Sequence, residues 1–269
     1  MSLIRLHKFL AHSGLASRRH SEGLISEGKV RVNNKVITEL GFMIDPDRDK
    51  VYFGGRLLKP EPKVYYIINK PKGYLCTNAV FPAKGKALMT YTGHEPRVVD
   101  LIKTRERLYT VGRLDKESEG LIIATNDGGF CQRASHPSFE VPKTYFVVVR
   151  GFLDGAVLEK VQKGIWLSEG RTARTKVKII KREREYTSLL ITLTEGKKRE
   201  VRRLFARFSY PVKQLKRIQI GNLRLDDLKT GQYRQVSYEE LEATIFPKAN
   251  PPVRQAGPPV RPAGKFIKS

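Results

Sequence analysis

The sequence predicts an α+β protein: a small αα-β module, then a larger domain with a mixed, mostly antiparallel sheet flanked by helices. Three observations predict it. Residues 64–246 carry strand-like segments rich in β-branched and aromatic residues, YYIIN, LIIATN, TYFVVVRG, KVKII and SLLITLTEG, a composition suited to a half-buried pleated surface. Helical stretches alternate with them. Before them, residues 3 to 60 give two short helices and a few short strands, closed off by the proline-bearing stretch KPEPK. With 269 residues, 40% of them hydrophobic, the chain can build one large and one small domain around a substantial core.

In the first helix Leu6, Phe9 and Leu10 form an apolar face, and Gly14 supplies a C-terminal stop. Ser17 caps a second helix carrying Leu24 and Ile25, which Gly28 ends. In KVRVNNKVI, Val30 and Val32 alternate with charge, Asn33 and Asn34 supply a turn, and Val36 begins the return strand. Two prolines in residues 59–63 prevent regular structure. Domains are therefore expected at 1–60 and 64–246, with a linker at 61–63. In the larger part, residues 155–163 place Val157, Leu158 and Val161 at helical spacing. Further on, Val201, Leu204, Phe205 and Phe208 follow i, i+3, i+4, i+7. Residues 247–269 have no apolar period and no acidic residue, which predicts a disordered, basic, proline-rich tail.

The formal net charge is +24, from 51 Lys+Arg against 27 Asp+Glu. An excess of this size speaks about partners, and it suits a polyanion. No run approaches the ~18 apolar residues of a spanning helix. His and Lys interrupt the apolar N-terminus, so it does not read as a signal peptide. Nucleic acid is the expected partner, no membrane is expected, and the expected location is cytoplasmic. Two cysteines without CxxC pairing and five scattered histidines predict neither disulfide nor metal.

Four stretches bear on chemistry. In ASRRHSEG, Arg18 and Arg19 fall in the first turn of the helix capped by Ser17. Cations there oppose the helix dipole at a cost of roughly 0.3–1 kcal/mol. A helix start with two arginines also clamps phosphate; the alternative is an ordinary solvated helix end. Lys29, Arg31 and Lys35 on the following strands favour the phosphate reading. In EGKKREVRRLFARF, Arg199 and Arg203 point away from the apolar face while Arg202 borders it. A border arginine can meet a half-buried carboxylate, and the outward ones, with Lys197 and Lys198, can meet phosphates. The alternative is an amphipathic helix with a charged outer side. In KTYFVVVRG, Tyr145 is either a packing residue or, with one ring face open, a platform for an unpaired base. Finally, VGRLDKESEGLIIATNDG puts Asp115, Glu117 and Glu119 into a cationic chain. They sit between Gly112 and Gly120 in a loop leading into a strand, where catalytic groups gather.

With INKPKGYLCT, VGRLDKESEGLIIATNDG, KTYFVVVRG and LTEGKKREVRRLFARF in this order, the chain resembles bacterial ribosomal-RNA pseudouridine synthases. The similarity is to the branch in which an RNA-binding module like that of a ribosomal small-subunit protein precedes the catalytic domain. It covers residues 4 to about 246. Three departures are small: Thr110 stands where proline is common, FSYPV replaces a glycine-containing turn, and Asn33-Asn34 replaces Asn-Gly.

The resemblance implies that Asp115 is the catalytic aspartate, Tyr145 stacks on the target uracil, and Arg202 is the basic partner of Asp115. It implies that Arg113 holds the displaced nucleotide or its phosphate, and that Asn69, Lys70 and Pro71 are structural. The implied reaction is isomerisation of uridine to pseudouridine in ribosomal RNA by a monomer without cofactor. TLTEGKKREVRRLF and SHPSFEVPKTYF look closer to members acting on large-subunit RNA. Breaking a glycosidic bond builds oxocarbenium-like charge on the ribose, which a carboxylate offsets. The carboxylate can act as nucleophile or take a sugar proton, and a pairing arginine would lower its pKa. The target uridine must be flipped out or already unpaired. Two other readings compete. A non-catalytic RNA-binding ribosome-assembly protein would have no use for Asp115, and a metal-dependent nuclease would use Asp115, Glu117 and Glu119 together.

Overall fold

The computed structural model describes residues 3–77 and 95–246; the tail expected over 247–269 lies outside them. At the N-terminus, helix α1 (Leu6–His12) buries Leu6, Phe9 and Leu10. Helix α2 (Arg18–Ser26) buries Leu24 and Ile25. Strand β1 (Val30–Val32) pairs antiparallel with β2 (Lys35–Ile37) and β3 (Val51–Phe53), and β4 (Arg56–Leu57) continues from β3. Val30, Val32, Ile37 and Val51 close one core with the two helices. Asn33 takes the left-handed φ of 53° that the β1–β2 turn needs, a conformation asparagine tolerates better than most residues. Its amide fixes the turn, donating to Asp49 and accepting from the Lys50 N–H, both at 2.9 Å.

After residues 58–64, which have no regular structure, nine strands form one sheet. They are β5 (Tyr65–Lys70), β6 (Tyr109–Val111), β7 (Glu119–Thr125), β8 (Lys143–Arg150), β11 (Lys176–Arg182), β12 (Tyr186–Leu193), β13 (Val212–Ile220), β14 (Leu223–Arg224) and β15 (Tyr233–Val236). A separate hairpin, β9 (Trp166–Leu167) with β10 (Gly170–Arg171), lies between β8 and β11 in the chain. Along the sheet the order is β11-β12-β8-β13-β7-β5-β15, with β14 beside β13 and β6 beside β7. All pairings are antiparallel except β7 with β13.

Helices α3 (Gly128–Ser135), α4 (Gly155–Lys163), α5 (Glu200–Ala206) and α6 (Tyr238–Ile245) flank the sheet. Strand β5 is buried at every position, because both faces of the sheet are covered there. Tyr65 and Ile67 pack with Phe130, Leu241 and Ile245 on one side. Tyr66 and Ile68 pack with Val98, Ile102 and Leu114 on the other. A third cluster joins Val147 and Leu189 to Val161 of α4 and to Val201, Leu204 and Phe205 of α5.

The helix expected to run through Phe208 stops at Ala206. Its end tightens into i−3 bonds, Phe208 N–H to Phe205 and Ser209 N–H to Ala206, and Ser209 turns left-handed at φ 63°. Phe208 still packs on the same cluster from beyond the helix.

The parallel junction is unusually close. Gly120 lies opposite Arg217 at φ 105°, and a Cβ there would come within 2.2 Å of the Arg217 carbonyl oxygen. Only glycine fits that contact.

Candidate active site

Asp115 sits in the loop between β6 and β7, and two cations, one buried and one half-buried, hold the main chain just after it. Lys70, at the end of β5, is 0% exposed. Its Nζ donates to the carbonyls of Pro71 at 2.9 Å, Lys116 at 3.2 Å and Ser118 at 2.7 Å, satisfying all three ammonium donors. Burial pushes its pKa below the usual lysine range. Arg202 of α5 takes the carbonyl between those two, donating to Glu117 at 3.0 Å and to Val212 at 3.1 Å. Three successive carbonyls after Asp115 are thus fixed from two directions. The loop also closes on itself, with the Ser118 N–H donating to the Asp115 carbonyl at 3.0 Å.

The expected pairing of Arg202 with the Asp115 carboxylate is therefore corrected. Both terminal nitrogens of Arg202 go to main-chain carbonyls, and its Nε is buried without a partner. Asp115 and Glu117 act on this guanidinium through space, against the larger effects of burial and of Arg199, which lower its pKa. Helical spacing could place Arg202 at the border of the apolar face, but it could not show that carbonyls would claim it. Among the described residues the Asp115 carboxylate makes no hydrogen bond or ion pair.

That carboxylate faces a cavity of about 360 Å³ lined also by Arg113 and Ser118, by Tyr145 of β8, and by Lys197, Lys198 and Arg199 from the β12–α5 loop. Half-buried Tyr145 also lines an adjoining cavity of about 390 Å³, with Arg113, Lys143, Glu195 and Arg217. The structure thus brings together Asp115, Tyr145, Arg113, Lys197, Lys198 and Arg199, which lie far apart in the chain. A larger cavity of about 760 Å³ lies at Lys63, Tyr65, Asp127 and Tyr238. Its acid is already engaged: Asp127 caps α3 and binds Tyr65 and Lys63.

Arg217, Lys143, Glu195 and Glu200 are cleft groups that sequence reasoning missed. Arg217 is 2% exposed. Its Nε donates to the Leu121 carbonyl at 2.7 Å, and one terminal nitrogen is buried without a partner. The available signal was the place of Arg217 two residues after Leu215 in KQLKRIQI, on the strand face that Leu215 buries. Lys143 donates to the Val141 carbonyl, and burial together with Arg217 brings its pKa down to about 8.

Glu195 and Glu200 face each other across the base of the Lys197–Lys198 loop. Glu195 accepts from the Ala173 N–H and pairs with Lys197 at 3.0 Å. Glu200 accepts the Lys197 N–H through Oε2, while its buried Oε1 receives no donor. A proton on Glu200 supplies the missing donor, directed at Glu195. Burial, and then the Glu195 carboxyl, push the Glu200 pKa from 4.5 up to about 8. Lys197 on the same loop, Lys143 from β8 and Arg203 from α5 are the other charged groups that feel this pair.

The folded pKa is the raised one, so the stability this group gives is complete below 4.5 and lost as pH rises through about 8. The wild-type chain should melt several degrees lower at about pH 8, before loss of the Lys143 proton offsets the effect, than at about pH 6, and Glu200→Gln should remove most of that difference. Thermal melts across pH check this. An equal slope in the variant would assign it to other groups.

The remaining expected residues lie elsewhere. Arg203 is engaged by Glu169 and Ser168 on the β9–β10 hairpin. Ser17 uses its hydroxyl to cap α2, accepting from His20 N–H at 3.2 Å. Arg18 and Arg19 are exposed, and Arg18 reaches toward Gly128 of α3, where a Cβ would meet its guanidinium at 3.0 Å. Lys29 pairs with Glu27 at 2.5 Å, Arg31 lies 4.6 Å over the Tyr52 ring, and Lys35 is exposed. None of these lines the Asp115 cavity. The carboxylates of the nuclease reading also part: Glu117 is exposed and Glu119 accepts from Gln214 at 2.8 Å. Among the described residues no group of three His, Cys, Asp or Glu side chains could hold a metal ion.

A carboxylate without partners among the described residues, facing an aromatic ring and a cationic loop, is the arrangement expected where a base is handled on a phosphate chain. Residues 64–207 match the family model for RNA pseudouridylate synthase, and residues 4–49 match that of the S4 domain. The chain belongs to the RNA pseudouridylate synthase family. It is similar to the ribosomal large subunit pseudouridine synthase B of Bacillus subtilis (strain 168), 38% identical over 88% of this chain and 94% of that protein. It is also 39% identical to an uncharacterized RNA pseudouridine synthase of Aquifex aeolicus (strain VF5), over 90% of this chain and 93% of the relative. The crystal structure of a pseudouridylate synthase superposes with a TM-score of 0.62 at 27% identity, covering 89% of this chain and 98% of that one.

Proposed function

We propose that the chain converts a uridine of large-subunit ribosomal RNA into pseudouridine, with Asp115 as the group that meets the ribose. One observation carries the reading: the Asp115 carboxylate, unengaged among the described residues, shares a cavity with Tyr145 and the Lys197–Arg199 loop. The target nucleotide leaves its stack and its uracil lies against Tyr145. As the glycosidic carbon–nitrogen bond breaks, the carboxylate offsets the positive charge on the sugar, as nucleophile or as proton acceptor. The uracil turns and a carbon–carbon bond forms. Lys70 and Arg202 hold the carbonyls that aim Asp115, so their role is positioning. Arg113, Lys197, Lys198 and Arg199 meet phosphates, and Arg18, Arg19, Arg31 and Lys35 extend the cationic surface over the N-terminal unit. Large-subunit RNA is supported by the name of the Bacillus subtilis relative. The division into domains at 1–60 and 64–246, a monomeric state and a cytoplasmic location belong to the same proposal. Among the described residues no helix is long and apolar enough to cross a membrane.

The test is carbodiimide mapping of pseudouridine in ribosomal RNA incubated with the protein, and in RNA from a strain lacking it. One large-subunit site should appear in the first and vanish from the second. Binding without any new pseudouridine would favour an assembly factor. Adding EDTA should leave the yield unchanged and the RNA uncut. Loss of activity, or metal-dependent cleavage, would overturn a cofactor-free mechanism.

A further inference from the structure

Trp166 has no part in the chemistry above, yet it is 74% exposed, the most exposed large hydrophobic side chain among the described residues. It is also the single tryptophan of the chain. Exposure of so much of a large apolar ring forfeits most of its burial energy, so a covering partner is the question it raises. Its support is rigid. The flanking Thr172 N–H donates to the Ile165 carbonyl at 2.9 Å, and the Thr172 hydroxyl accepts the Ile165 N–H at 3.0 Å. Arg203 clamps the hairpin tip through Ser168 and Glu169.

The surroundings name the partner. Trp166 lies directly opposite Arg171 across the hairpin, and residues so paired show their side chains on the same face. The Arg171 carbonyl accepts the Lys197 Nζ at 2.7 Å, and Lys197 lines the Asp115 cavity. The ring therefore stands one residue pair from the cleft wall. Arg171, Arg174 and Lys198 are exposed nearby in the chain or across that bond, while the acid of the hairpin, Glu169, is neutralised by Arg203. An aromatic platform beside the exposed cations Arg174 and Lys198, with the Arg171 guanidinium held by the Lys163 carbonyl at 3.3 Å, fits a nucleobase on a phosphate chain. We propose that Trp166 stacks on an unpaired base of the RNA substrate, outside the catalytic cavity and next to the target nucleotide. The inference rests on the reading of the chain as a ribosomal-RNA synthase.

Because Trp166 is the sole tryptophan, its emission reports on the ring directly. Titrating the full chain with a large-subunit ribosomal-RNA transcript should quench that emission along the same curve as binding measured by fluorescence anisotropy of labelled RNA. Trp166→Ala should weaken binding about 5- to 100-fold and raise KM with little change in kcat, and Trp166→Phe should restore most of the loss. If the transcript binds and pseudouridine forms while the emission stays constant, or if the alanine variant binds as wild type does, the stacking proposal is overturned and the synthase reading stands. If no pseudouridine forms, both fall. An emission change seen only with a protein-bearing ribosomal particle assigns the ring to a protein contact and also overturns the proposal.

Discussion

Asp115→Asn should abolish pseudouridine formation, lowering the rate by at least about 10²–10⁴-fold, while RNA binding and melting temperature stay close to wild type. The structure separates these effects. The side chain is only partly buried and makes no hydrogen bond or ion pair among the described residues, so an isosteric amide disturbs no partner among them. What changes is the charge that meets the sugar and the oxygen that attacks it or takes its proton. Single-turnover assays on the ribosomal-RNA transcript, beside anisotropy binding and a thermal melt, make the comparison. A variant that retains activity would remove Asp115 from the catalytic role. A variant that fails to fold would contradict its placement in the loop.

Gly120→Ala should cost about 3–5 kcal/mol, from left-handed strain and from overpacking. That corresponds to a fall of roughly 10 °C in melting temperature, with loss of activity in the folded fraction. Relief of the contact with the Arg217 main chain requires β7 and β13 to separate. Separation would move the Asp115 loop at one end and Arg217, with Tyr145 beside it in β8, at the other. Gly170 is the matched control: it has the same φ of 105° but nothing within 4 Å of a Cβ. Gly170→Ala should therefore show the strain alone, on the order of 1 kcal/mol. If the two variants melt alike, close approach at the parallel junction is not what sets the cleft.

The sequence by itself determined the elements whose signal is local. Leu6, Phe9 and Leu10 announced α1, Ser17 announced the cap of α2, and Val201, Leu204 and Phe205 announced the buried face of α5. Each rests on a period or a hydrogen bond spanning a few residues, so neighbours in the chain carry the information. Asp115 drew attention as one of three carboxylates in a cationic chain, but only the family resemblance of the four ordered motifs singled it out from Glu117 and Glu119. Tertiary structure alone decided how the cations are used. Arg202 went to the carbonyls of Glu117 and Val212 and not to Asp115, Lys70 closed three carbonyls, and Arg217 was buried at the parallel junction. The physical reason is that a buried donor takes whichever acceptor the fold leaves unpaired. Main-chain acceptors look alike at every position in the sequence, and only the folded geometry shows which of them lie within reach.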